Sequence, residues 1–169
     1  LSAAIRTSND RMRAILDSTR DGIILLDNEG QIQDANSAAS ELTDIQLQNH
    51  LHKSFDVVAL SETNDDDIRE VWLEIFEQYH QDPDRVHGKK FVFERDKGTM
   101  QLRFFTSDVK NDKRATVGRL LILRDITQEQ ELQGFRDTMQ SMVLHDIRGP
   151  LSSIITSMYV AQNIISFNE

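Results

Sequence analysis

Apolar positions fall into three regimes along the 169-residue chain. Near the start, Ile5, Met12, Ile15 and Leu16 lie between charged Arg6, Asp10, Arg11 and Arg13, a spacing that predicts a short amphipathic helix ending about Asp17. From Asp21 the pattern changes. Gly22-Ile23-Ile24-Leu25-Leu26-Asp27 is β-rich, Asn28-Glu29-Gly30 is a turn signal and Gln31 to Ala35 alternates, so the pair reads as a hairpin. Asn36 or Ser37 then caps a helix carrying Ala38, Ala39 and Leu42. Asp65, Asp66 and Asp67 open a further helix, where carboxylates suit the dipole. Ile68, Val71, Trp72, Ile75, Phe76 and Tyr79 recur at three and four along it until Gln81-Asp82-Pro83. Three alternating stretches follow, Phe91 to Arg95, Met100 to Phe104 and Val117 to Ile126, with turns at Asp96-Lys97-Gly98 and Asn111-Asp112. Two strands, several helices and three strands predict an α+β fold, an antiparallel sheet with its helices on one face.

The third regime, Thr127 to about Phe167, is helical throughout, with Thr127 as its cap. Leu132, Phe135, Met139, Val143, Ile147, Leu151, Ile154, Met158, Ala161 and Ile165 form one stripe whose steps of three and four include a run of fours, as in a coiled coil with a stutter. A helix of about 40 residues is about 60 Å long at 1.5 Å per residue. The preceding zone is too small to bury all of that stripe, so a partner helix is expected, most simply from a second copy of the chain. Pro150 lies inside the helix, where it removes a hydrogen bond and predicts a local kink. The expected domains are therefore residues 1–20, an amphipathic helix; 21–127, the α+β domain; and 128–169, the coiled-coil helix.

Composition narrows the function. The 19 basic and 28 acidic residues leave a net charge of −9 and no basic cluster, which argues against a nucleic-acid partner. Cysteine is absent, excluding a disulfide framework, a thiolate metal site, a cysteine nucleophile and flavin–cysteine photochemistry. No apolar run is long enough to span a bilayer, and the first residues are no secretory signal. A cytoplasmic location is expected. The chain begins at Leu1 rather than Met and reads as a piece of a longer protein, which leaves room for a membrane anchor upstream in the parent.

One constellation carries chemistry: His145-Asp146-Ile147-Arg148-Gly149-Pro150-Leu151. The stripe uses Val143, Ile147 and Leu151, and His145 lies about 200° around from Val143 at 100° per residue, so it should face solvent. An exposed imidazole on a rigid helix beside a carboxylate is a usable nucleophile, and Asp146 can hold one ring N–H and raise the basicity of the other nitrogen. Other histidines invite blander readings. His80 and His87 are weighed as haem ligands against roles as polar caps, and His50-Leu51-His52 has no third metal ligand nearby in sequence.

The stretch resembles the H-box of sensor histidine kinases, a His, an acidic residue, two to three variable positions and then Pro. Independently, the middle zone resembles a PAS domain through Ile15-Leu16-Asp17-Ser18 with Asp21-Gly22-Ile23, Asp34-Ala35-Asn36-Ser37-Ala38-Ala39, and Arg124-Asp125-Ile126-Thr127. The triplet Asp125-Ile126-Thr127 resembles the segment joining PAS domains to output helices. The resemblance implies that His145 is the phosphoacceptor for the γ-phosphoryl of ATP, that Asp146 is its hydrogen-bond partner or general base, and that the phosphoryl passes to an Asp on a response regulator. Asp125, Ile126 and Thr127 would be the signal junction, and Asp125 could pair with an Arg or cap the helix. No Asp-x-Gly-x-Gly, Gly-rich lid or Asn-bearing nucleotide box is present, so ATP and Mg would be handled by a kinase domain outside this sequence, and the chain alone should be inactive. Four residues past His145 stands Gly149, where phosphatase-active relatives carry Thr or Asn. No cofactor is expected in the chain itself, haem or flavin included. The rival readings are a PAS ligand- or cofactor-binding module and a purely structural dimerisation adaptor.

Overall fold

The computed structural model describes residues 13–96 and 98–166, with the side chains of the last helix described as far as Tyr159. Within the predicted first helix, residues 13–17 are helical, and the earlier part of that expectation lies outside the described residues. Five strands follow the predicted order: β1 (Gly22–Leu26), β2 (Ile32–Ala35), β3 (Lys90–Arg95), β4 (Gly98–Lys110) and β5 (Thr116–Asp125). Three helices lie between β2 and β3, α1 (Ser37–Thr43), α2 (Phe55–Glu62) and α3 (Asp66–Gln81), and α4 (Thr127–Ser166) follows β5. The sheet order is β2-β1-β5-β4-β3, antiparallel throughout. The α+β expectation therefore holds.

Strand periodicity decides the core. Ile24, Leu26, Phe93, Leu102, Phe104, Leu121 and Leu123 point to the helical side and are buried to within a few per cent. Trp72, Ile75 and Phe76 on α3 and Phe55 on α2 close over them. Trp72 is the hub: its ring lies 5.4–6.1 Å from Phe55, Phe76, Phe93 and Phe104. Edge-to-face packing dominates, as the ring quadrupole favours, and Phe76 stacks on the indole.

Helix starts follow the predicted chemistry. Asp65 caps α3 by accepting the N–H groups of Asp67 and Ile68. Asn36 caps α1 through Ala39 N–H, and its carboxamide does more: Oδ1 also accepts the Ile23 N–H, while Nδ2 donates to the carbonyls of Leu16 and Asp21. One residue thus joins the helical turn at 13–17, β1 and α1.

Gly118 is required by close approach rather than by its φ angle. A Cβ there would lie 2.4 Å from the Leu26 carbonyl oxygen, backbone against backbone. Gly118→Ala is expected to destabilise the domain by about 1–3 kcal/mol, read as a lowered urea midpoint, because neither strand can yield without breaking the β1–β5 ladder. Gly134, in α4, meets nothing within 4 Å.

The chain divides into two units, Leu1–Thr127 and Gln128–Glu169. Among its described residues the second is a single helix, which runs unbroken through Pro150. Pro150 has no N–H, so the Asp146 carbonyl lacks its usual helical donor. No helix among the described residues is long and apolar enough to cross a membrane.

Candidate functional site

The helical periodicity of α4 places its apolar and reactive positions on different sides. Leu132, Phe135, Met139, Val143, Ile147, Leu151, Ile154 and Met158 all stand exposed within this unit. His145 projects away from the stripe, its side chain 88% exposed. The Asp146 carboxylate reaches to 3.5 Å from His145 Nδ1, a charge-pair distance rather than a tight hydrogen bond. Such a carboxylate favours the tautomer with the proton on Nδ1 and leaves the Nε2 lone pair facing solvent. The arrangement is an exposed imidazole on a helix with a carboxylate beside it and an open approach.

At the junction the capping oxygen is that of Asp125, one of the two residues, with Thr127, that the sequence offers as a cap. Asp125 Oδ1 accepts the Thr127 N–H at 2.8 Å and its hydroxyl at 2.5 Å. Thr127 is already the first residue of α4, and its Oγ1 instead accepts the Gln101 N–H from β4 at 2.9 Å. Of the two, an Asp two residues ahead forms this local turn, which a Thr at the first helical position cannot. Ile126 between them is fully buried, and its N–H donates to the Gln101 carbonyl. Gln101, absent from the sequence reading, therefore holds both ends of the junction to β4. Arg124 makes a two-pronged ion pair with Asp21 before β1, its nitrogens 2.6–3.1 Å from the carboxylate.

Arg95 is another residue the sequence reading missed. Its guanidinium donates to the Leu42 carbonyl at the end of α1, and burial pulls its pKa down while the carboxylates of Asp44 and Asp125 oppose that fall. It thereby sits in the field of the junction carboxylate and on the α1 terminus at once. No sequence motif marks such a residue, because its neighbours lie far from it in the chain, at the end of α1 and at the end of β5.

The side chains of three of the four remaining histidines have partners within the protein. His80 Nε2 lies 3.2 Å from Asp56 Oδ2, tying the end of α3 to the start of α2. His87 Nδ1 lies 3.0 Å from the Thr106 carbonyl and 3.2 Å from its N–H. His50 ends a 3-10 turn with Nε2 3.5 Å from Glu62, and His52 adopts a left-handed φ of 64°. Among the described residues no three His, Cys, Asp or Glu side chains gather to hold a metal.

Next to His80 on α3 is Tyr79, whose phenol burial pushes above its ordinary value of 10.0; Arg119 opposes the shift and Asp108 adds to it. Folding thus favours the neutral phenol. Its contribution to stability is complete below 10.0 and is lost as pH rises through the higher folded value. The phenolate absorbance of the native protein should show an ionisation above 10.0 that Tyr79→Phe removes.

Comparison with known proteins bears on the fold of residues 10–126. The model of the PAS fold family matches residues 10–126. No curated protein matches the chain. Among solved structures, the PAS domain of BvgS from Bordetella pertussis is similar at 18% identity and a TM-score of 0.54, covering 81% of this chain and 99% of that one. The phage VqmA–DPO complex is similar at 13% identity and 0.52, over 82% of this chain and 62% of that one. VqmA of Vibrio cholerae, in a structure describing its dimer without target DNA, gives 12% and 0.51, over 70% and 52%. At such identities the likeness concerns the fold, and with the family match over most of its length the chain belongs to the PAS fold family.

Proposed function

We propose that the chain is the sensory and phosphoacceptor part of a two-component sensor histidine kinase, with His145 as the phosphorylated residue. The observation that carries this reading is His145 standing exposed beside Asp146 on α4, within His145-Asp146-Ile147-Arg148-Gly149-Pro150. In the proposed step Nε2 attacks the γ-phosphorus of ATP presented by a kinase domain. The P–N bond forms as the P–O bond to ADP breaks, and Asp146 holds the Nδ1 proton as positive charge develops on the ring. Phosphoryl transfer asks little covalent chemistry of the protein beyond positioning and charge neutralisation; the helix positions the imidazole, the carboxylate stabilises the positive charge that develops on the ring, and neutralisation of the phosphate falls to the kinase domain. The phosphoryl group then moves to a response-regulator Asp. ATP and Mg belong to the kinase domain.

The exposed stripe of α4 is assigned to a second copy of the chain, giving a homodimer. Ile147→Asp, in the middle of the stripe, is expected to convert the dimer to monomer in sedimentation, since each charge would face its counterpart across the seam. The resident signal is taken to act through Asp125, Ile126 and Thr127 on the packing of that seam.

The test supplies a histidine-kinase ATP-binding domain and ATP to the purified chain, and maps acid-labile phosphate by mass spectrometry. Phosphate on His145 supports the assignment. Phosphate on another residue, or none on a chain extended through a second dimerisation helix, overturns it in favour of a structural adaptor.

A further inference from the structure

Beneath the β1–β2 turn lies a cavity of about 330 Å³ between α2, the end of α3 and the start of β5. That volume falls in the range of small-molecule sites. It is distinct from the domain centre, which Trp72, Phe93 and Phe104 fill. Leu26, Ile75 and Leu121 form an apolar lining, and Phe55, Phe76 and Tyr79 add aromatic faces.

The charges around this cavity are unbalanced. Six titratable groups line it: Asp27, Glu29, Asp56, Tyr79, His80 and Arg119. Arg119 is committed elsewhere, 2.5 Å from Asp108 and 3.5 Å from Asp84. Asp27 is saturated, since Oδ1 accepts the N–H groups of Glu29 and Gln31 and Oδ2 accepts Gln33 Nε2. Asp56 differs. Its Oδ1 accepts the Ser54 hydroxyl and the Val57 N–H, while Oδ2 faces only His80 Nε2 at 3.2 Å, a partner that is cationic only when protonated. The Asp56 side chain is only 25% exposed, so this carboxylate lacks a permanent counter-charge in a partly desolvated wall. Glu29, on the turn, and Tyr79 also border the cavity.

We propose that this cavity binds a small organic cation, an amine on an apolar body, with its ammonium on Asp56 Oδ2 and its body against Phe55, Phe76 and Leu121. A half-buried carboxylate gives the ammonium a charge-assisted hydrogen bond, and aromatic faces attract cations. The neutral Tyr79 phenol offers an oxygen acceptor. An anionic ligand would meet Asp56 and Glu29 with no free cation. Protonated His80 competes with the ammonium for the same oxygen. The proposal names the chemistry of the input that the sensory reading leaves open, and its test involves no phosphotransfer, so either can fail while the other stands.

The test titrates the whole chain by calorimetry with phenethylamine, phenylacetate and phenethyl alcohol, three probes sharing one aromatic body. Phenethylamine is expected to bind about tenfold or more tightly than the acid or the alcohol, and Asp56→Asn to remove that preference. Should Asp56→Asn misfold, amide shifts of the native chain locate the amine instead, at Gly30, Asp56 and His80. Equal binding of all three probes, an unchanged preference in Asp56→Asn, or no binding of either phenethylamine or butylamine overturns the proposal.

Discussion

Trp72→Ala is expected to cost about 3–5 kcal/mol, the range for removing a large buried aromatic. The indole is fully buried and touches four other rings drawn from α2, α3, β3 and β4, so its loss opens a void that no single element can close. Domains of this size are stable by only about 5–15 kcal/mol, so the variant should melt far below the parent and lose much of its unfolding cooperativity. Trp72→Phe separates the causes. The indole Nε1 is buried with no hydrogen-bond partner. A buried unpaired donor costs about 1–3 kcal/mol, and phenylalanine removes it while keeping most of the ring volume. Its cost should therefore be under half that of alanine. Circular dichroism is the appropriate probe, since both variants lose the sole tryptophan. Equal losses in the two would place the stabilisation in the indole edge rather than in ring volume.

The second large effect concerns chemistry. His145→Gln should reduce phosphoryl incorporation, with a kinase domain and ATP supplied, to background, because glutamine has no nucleophilic nitrogen at that position. Stability should scarcely move, since the side chain is 88% exposed. Asp146→Asn should act more mildly, slowing labelling by about tenfold to a hundredfold, the lower end of what a positioned general base contributes. The carboxylate stands 3.5 Å from Nδ1, near enough to bias the tautomer and stabilise positive charge, yet it is equally exposed to water and screened by it. Undiminished labelling of His145→Gln would remove the phosphoacceptor assignment whatever the dimer does.

Local periodicity made much of this protein readable. The strands alternate, α3 repeats at three and four under an acidic cap, and the long stripe of α4 needs no tertiary partner to be seen. The exposed position of His145 followed from its angle to Val143 on one helix. By contrast, α2 has no comparable signature. Phe55-Asp56-Val57-Val58-Ala59-Leu60 is nearly continuous in apolar residues, and only its packing makes Phe55, Val58 and Ala59 the buried face. At the junction the sequence offers both Thr127 and Asp125, since both are good caps, and only geometry chooses Asp125.

Sequence by itself determined the five strands, the helices α1, α3 and α4, the antiparallel α+β class, the place of the exposed histidine and the exposed stripe, because each depends on residues a few positions apart. Tertiary structure alone decided the order β2-β1-β5-β4-β3, the need for glycine at 118 where β5 crosses the Leu26 carbonyl, the reach of Arg95 from Leu42 toward Asp125, and the meeting of Asp56 with His80 at the cavity wall. Those features join residues far apart in the chain, and their energies come from burial, close approach and shared fields, which no local pattern of apolar and polar residues encodes.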